Sequence, residues 1–129
     1  MEHVYCQITD GIEVSVRPEL VADQTNSDLG YYFYKYDIEI KNKSPKPHQI
    51  LSRHWIVRDG KGNEEEVIGE GLLGEQPKIG PGESYTYSSA CPLTTPTGNM
   101  RGKYYSIDDE GKEYSVKIPL FFLRPPEIN

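Results

Sequence analysis

A stretch near the middle of the chain, Gly69-Glu70-Gly71-Leu72-Leu73-Gly74-Glu75-Gln76-Pro77, is the one place where a spacing with known chemistry, G-x-G-x-x-G, can be laid on this sequence. Glycines so spaced serve phosphates when they turn a strand sharply into a helix whose N-terminal amides and dipole meet a pyrophosphate. Here Gly74 leads into Glu75-Gln76-Pro77, and no helical period appears before Tyr85, so the sequence offers no helix N-terminus to complete such a site. Glu70 and Glu75 also bring negative charge to where phosphates would lie, and no Lys-Ser or Lys-Thr pair follows as in a P-loop. The alternative role for Gly69, Gly71 and Gly74 is structural: glycines in β proteins mark bulges and close backbone approaches, with the leucines between them capping one end of a core.

The remaining chemistry-bearing residues are scattered. Cys6 and Cys91 are far apart with no C-x-x-C partner, so both are expected as free thiols, Cys91 as a small buried residue. His3, His48 and His54 show no metal-ligand spacing, and no metal or cofactor is expected. No Ser/His/Asp ordering or paired carboxylates stand out, so the expectation is a protein that is not an enzyme. Arg53 shares its parity with Trp55 on an apolar face; it must reach an edge or pair with a carboxylate.

The elements that would hold these residues read as strands. Isoleucine and valine alternate at Ile12, Val14 and Val16 before Pro18, which is expected to close that strand. Residues 19–30 are polar and aperiodic, a long surface loop. Tyr32, Tyr34, Tyr36, Ile38 and Ile40 share one parity of the clearest strand, a core-facing row. In the next strand Leu51, Arg53, Trp55 and Val57 share a parity, with Trp55 at the centre of the core. Asp59-Gly60-Lys61-Gly62-Asn63 signals a tight hairpin, returning through 64–68, whose Glu64, Glu65 and Glu66 read as a solvated sheet edge. Residues 91–99 hold too many prolines and glycines for regular structure and are expected as a connection. Strands follow over 100–109, where adjacent Tyr104 and Tyr105 leave the parity open, and through Tyr114 to Leu120, where Pro119 requires an edge or a bulge. This is an all-β pattern of about seven or eight strands, a two-sheet antiparallel sandwich.

Size and charge set outer limits. A chain of 129 residues is expected to form a single domain with a core of its own. With 14 Lys plus Arg against 20 Asp plus Glu, the net charge of -6 repels phosphate backbones and argues against nucleic acid. No apolar run is long enough to span a bilayer, and the first residues lack a signal-peptide pattern, so a cytoplasmic location without membrane attachment is expected.

Several blocks, in order, carry a resemblance: Leu51-Ser52-Arg53-His54-Trp55-Ile56-Val57, the 69–77 stretch, Pro81-Gly82-Glu83, Cys91-Pro92-Leu93-Thr94-Thr95-Pro96-Thr97-Gly98 and Met100-Arg101-Gly102. Together they closely resemble the ApaG family over residues 12–123, leaving 1–11 as an N-terminal extension and 124–129 as a tail. The resemblance implies a fibronectin type III or immunoglobulin-like sandwich. It also implies an association with cobalt tolerance and magnesium efflux, and partner binding of the kind seen in related domains. The family's glycine block has been likened to a pyrophosphate motif, so a phosphate- or nucleotide-binding protein is the alternative, and a direct carrier of cobalt or magnesium a third. No catalytic residues come with the resemblance. The expectation is a protein-interaction module with an unidentified protein partner, and Arg53, His54, Cys91, Thr95 and Arg101 in the matching blocks become candidate contact or structural residues. Around Ser106 the chain departs from the family pattern, where a larger apolar residue is more usual.

Overall fold

The computed structural model describes residues 4–126. His3 and parts of the N-terminal extension and C-terminal tail lie outside them. Among the described residues nine strands form two antiparallel sheets: β1 (Tyr5–Thr9), β2 (Ile12–Leu20), β3 (Tyr32–Asn42), β4 (His48–Asp59), β5 (Glu64–Glu70), β6 (Lys78–Ile79), β7 (Ser84–Leu93), β8 (Gly98–Asp108) and β9 (Glu113–Leu123). One sheet runs β1-β2-β3-β7, the other β5-β4-β8-β9 with β6 also paired to β4. The expected two-sheet sandwich is therefore present. The strand periodicity had begun at Ile12 and passed over β1, a short half-exposed strand at an edge, and the two-residue β6. Among the described residues no helix is long and apolar enough to cross a membrane.

Period-two patterning builds the core as read. Ile12, Val14 and Val16 of β2 and Tyr34, Tyr36, Ile38 and Ile40 of β3 are buried. Trp55 lies at the centre, its ring 5.5 Å from Tyr36 and edge-on to Phe121 at 5.9 Å. Offset and edge-to-face contacts of this kind add to the burial of the rings themselves. Tyr104 is buried and Tyr105 is not, which settles the parity of β8. The buried Tyr104 hydroxyl meets that of Tyr87 across the sandwich, so neither phenol is left without a partner.

Four expectations change. Pro18 does not close β2, which continues to Leu20 opposite Tyr34; among the described residues β1 pairs only as far as Val16 and none of them pairs with Pro18 on that side, where its missing N–H costs no ladder bond. Residues 19–30 are ordered by two 3₁₀ turns, and Thr25 accepts from the Phe33 amide at 3.0 Å while donating to the Val21 carbonyl. A polar aperiodic stretch can thus be tied down by its own side chains. The proline-rich 91–99 segment is mostly strand: β7 extends through Cys91 and Pro92 to Leu93, and β8 begins at Gly98, because Pro92 can occupy an edge strand. Finally, Ile50 rather than Leu51 is the buried member of β4, because a bulge lies between Ile50 and Ser52. Pro119 fits as read: β9 is an edge strand, and the register jumps from Gly102↔Ile118 to Met100↔Phe121 around it.

One end of the sandwich is closed by polar groups. Asp108 accepts from the amides of Glu110 and Lys112 and from the Tyr114 hydroxyl at 2.8 Å, and the buried His48 places Nδ1 3.2 Å from the hydroxyl of Ser106. The Ser106 hydroxyl thereby gives His48 a partner. Burial holds the His48 pKa below its ordinary value, against the pull of Asp108, Asp10 and Asp109. Burial would raise Asp108, but the donated hydrogen bonds hold it below the usual carboxylate range. For both groups the folded state binds fewer protons than the unfolded chain. The His48 contribution is complete above about pH 6.5 and is lost as the pH falls towards its folded value; that of Asp108 is lost only below about pH 4. Thermal midpoints should therefore begin to decline as the pH falls below about 6.5, and His48→Gln should flatten that part of the profile while leaving the acid limb below about pH 4.

Candidate functional site

The glycine-rich stretch forms an excursion from one long edge. β5 pairs with Ser52 through Arg58 of β4, the chain then leaves the sheet, and β6 resumes the pairing at His48 and Gln49. Between them Leu72 and Glu75 exchange backbone hydrogen bonds of 2.7 and 3.0 Å around Leu73 and Gly74. Leu73 and Gly74 have φ of 51° and 85°, the paired positive values of a type I′ hairpin turn. The bulge in β4 anchors this hairpin: the Leu51 carbonyl accepts from the Gly71 amide at 2.8 Å and from Gln76 Nε2 at 3.0 Å.

Each glycine has a local reason. A Cβ on Gly69 would lie 2.9 Å from Nη1 of Arg53, and one on Gly71, at φ 67°, would lie 2.5 Å from the Glu75 carbonyl oxygen. Gly74 has open space around it and is required only by its backbone angle. Arg53 forms no ion pair with a carboxylate among the described residues; its Nη1 donates to the carbonyls of Glu70 at 3.1 Å and Gly71 at 2.8 Å, clamping the neck of the hairpin. Of the two leucines expected to tuck inward, Leu72 is fully buried and Leu73 is 62% exposed, because a two-residue turn holds its corner residues outside the bridge.

Beside this neck the sandwich is open. β1 and β2 pack against β9 along one flank, whereas β5 makes its principal contacts with β4 alone. Between β5 and β7 lies a groove of about 540 Å³, reaching Tyr36, Trp55 and Met100 at its floor, with Val67 and Glu65 on one wall and Cys91 and Pro92 on the other. Burial pushes the Cys91 thiol up to about 11, with the Glu65 carboxylate adding to the rise, so this thiol is protonated at neutral pH. Cys6 and Cys91 are both free.

The five candidate side chains divide between separate places. Arg53 and Cys91 both line the groove. Thr95, buried in the β7–β8 connection, accepts from the Gly60 amide and donates to the Thr97 carbonyl, both at 2.8 Å, joining two turns at one end. His54 and Arg101 lie on the outer face of the second sheet, 2.7 Å from Glu66 and 3.0 Å from Glu64. Val67 and Ser89 belong to the groove and were not singled out in the sequence, and Glu65, read there only as part of the solvated edge, lines it too; the alternation of Glu65 and Val67 against Glu64, Glu66 and Ile68 was the available signal. Among the described residues no three His, Cys, Asp or Glu side chains gather as a set able to hold a metal ion.

This arrangement defines a class: a two-sheet antiparallel β-sandwich whose glycine spacing builds a bulge-anchored hairpin next to an open flank. A family model described as the ApaG domain matches residues 22–108. A Protein ApaG from Methylocella silvestris is 42% identical over 125 residues, covering 97% of this chain and 96% of its own length. The corresponding protein of Bdellovibrio bacteriovorus is 43% identical over 114 residues, covering 88% and 90%. A crystal structure of a protein described as ApaA from Bordetella pertussis superposes with a TM-score of 0.88 at 39% identity, covering 96% of this chain and 98% of that one. The chain belongs to the ApaG family.

Two substitutions test the hairpin. Leu73→Asn, relieving a left-handed conformation that an apolar side chain tolerates poorly, should raise stability by about 1 kcal/mol in urea unfolding. Arg53→Met, which leaves the two carbonyls without their charged donor, should lower it by about 1–3 kcal/mol in the same assay.

Proposed function

We propose that this protein is a protein-interaction module that performs no chemistry of its own and engages its partner along the open flank between β5 and β7. The observation that carries this is the flank itself: a groove running in to Trp55, with Val67 and Ile68 of the adjoining strand 39% and 70% exposed. Exposed apolar side chains beside a cleft with a polar rim are the usual make-up of a contact surface. The process served is, in this reading, the handling of magnesium and cobalt that the family resemblance implies.

Phosphate binding at 69–74 is less favoured on physical grounds. The amides of Gly71, Leu72 and Glu75 already donate to the carbonyls of Leu51, Glu75 and Leu72. The Arg53 guanidinium is likewise engaged with backbone oxygens.

Affinity capture from native cytoplasm at native expression should retain a reproducible partner that is lost with Val67→Trp, a change that fills the mouth of the groove without adding charge. Calorimetry with ATP, GTP and NAD at low salt should show no heat. An empty capture beside a clear nucleotide titration would overturn the reading.

A further inference from the structure

Both edges at the open flank are guarded against strand pairing, but by different means. β7 carries Pro92, which pairs with Phe33 of β3. Proline is tolerated within a sheet where its missing N–H faces away from the neighbouring strand, so the donor absent here is one on the open side of β7. That defect opposes any added strand. β5 pairs with β4 alone, and its far edge carries Glu64, Glu65, Glu66 and Glu70 with no proline. Negative charge on an edge repels acidic or identical strands and attracts basic ones.

The four glutamates are not equivalent. Glu64 and Glu66 already pair with Arg101 and His54 across the outer face. Glu65 and Glu70 form no ion pair with any described residue. Glu65 and Val67 oppose Val57 and Trp55 of β4 and so face the groove, whereas Ile68 and Glu70 oppose His54 and Ser52 and face outward. Each face of β5 thus presents one unpaired carboxylate and one exposed apolar side chain two residues away.

Resting on the interaction-module reading above, we propose that β5 is a receiving edge for an extended segment of a second protein with the pattern basic-x-apolar-apolar-x-basic. Its backbone extends the second sheet. Its two basic side chains meet Glu65 and Glu70, and its two apolar ones pack beside Val67 and Ile68. The pattern reads the same in both directions, so it serves a parallel or an antiparallel strand. A second copy of this chain is a poor occupant: antiparallel pairing of β5 with itself about Val67 sets Glu64 against Glu70, and like charges directly opposite are destabilising.

The test uses capped peptides built on Lys-Thr-Val-Val-Thr-Lys, titrated at low salt while following the fluorescence of Trp55, the single tryptophan, at the groove floor. The wild-type chain should bind this peptide at least about tenfold more tightly than its Glu-for-Lys counterpart, and Glu65→Lys combined with Glu70→Lys should reverse that preference. Of two peptides N-methylated on alternate amides, one should bind and the other should not, because only one set of amides faces β5. No saturable binding, equal effects of the two methylation patterns, or indifference to charge reversal would each overturn strand addition. Glu65→Gln with Glu70→Gln gives a milder variant should the reversed chain fold poorly, and should weaken binding in the same direction. Native capture of a partner that persists in the charge-reversed chain, together with peptide that does not bind, overturns the β5 edge but leaves the module reading. Capture that also survives Val67→Trp removes the flank as the contact surface.

Discussion

The bulge at Leu51 is the constraint on which the second sheet depends. By adding one residue to β4 between Ile50 and Ser52, it lets His48 and Ile50 face inward on one side while Arg53, Trp55 and Val57 face inward on the other. Without it, a strict period of two would turn one of these sets outward. The same extra residue leaves the Leu51 carbonyl available to the Gly71 amide and to Gln76, which fixes where the edge strand leaves the sheet and where it returns. Core register and hairpin position therefore have a common origin.

Arg53 connects this geometry to the flank. An arginine on a core-facing row is costly unless all its surroundings compensate for the lost water. Here the guanidinium lies over Gly69, where no side chain competes for space, and donates to two backbone carbonyls at the hairpin neck. Charged donors to neutral carbonyls make comparatively strong hydrogen bonds, and the arrangement keeps a cation at the wall of a cleft that Trp55, Val67 and Glu65 also line. Elsewhere the interior follows the same discipline: among the described residues no buried side-chain nitrogen or oxygen lacks a partner.

The two flanks differ in how they meet solvent. β1, β2 and β9 close one side, with Tyr5 and Phe121 in ring contact across it. On the other side β5 lies apart from β7, and its residues are mostly exposed. A free edge is a hazard for a soluble sheet, and this one is protected by charge on β5 and by proline on β7. The asymmetry gives the molecule one side made for its own packing and one available to something else.

The sequence by itself determined the inward faces of β2 and β3, the central tryptophan, the hairpin at 59–63, the acidic edge and the need for an edge or a bulge at Pro119, because each rests on a local period or a residue-specific backbone restriction. The ApaG blocks likewise identified the family. It left open the division of the candidate side chains, with Arg53 and Cys91 in the groove, Thr95 between two turns, and His54 and Arg101 on the outer face. It also missed the extension of β7 through Pro92 and the exposure of Leu73. These were decided by register, bulges and the spacing between sheets, which bring together residues distant in the chain through hydrogen bonds and packing that no local pattern encodes. The glycine spacing shows the difference most plainly: its turns were legible as composition, but only the bulge of β4 and the reach of Arg53 made it a clamped hairpin on a sheet edge.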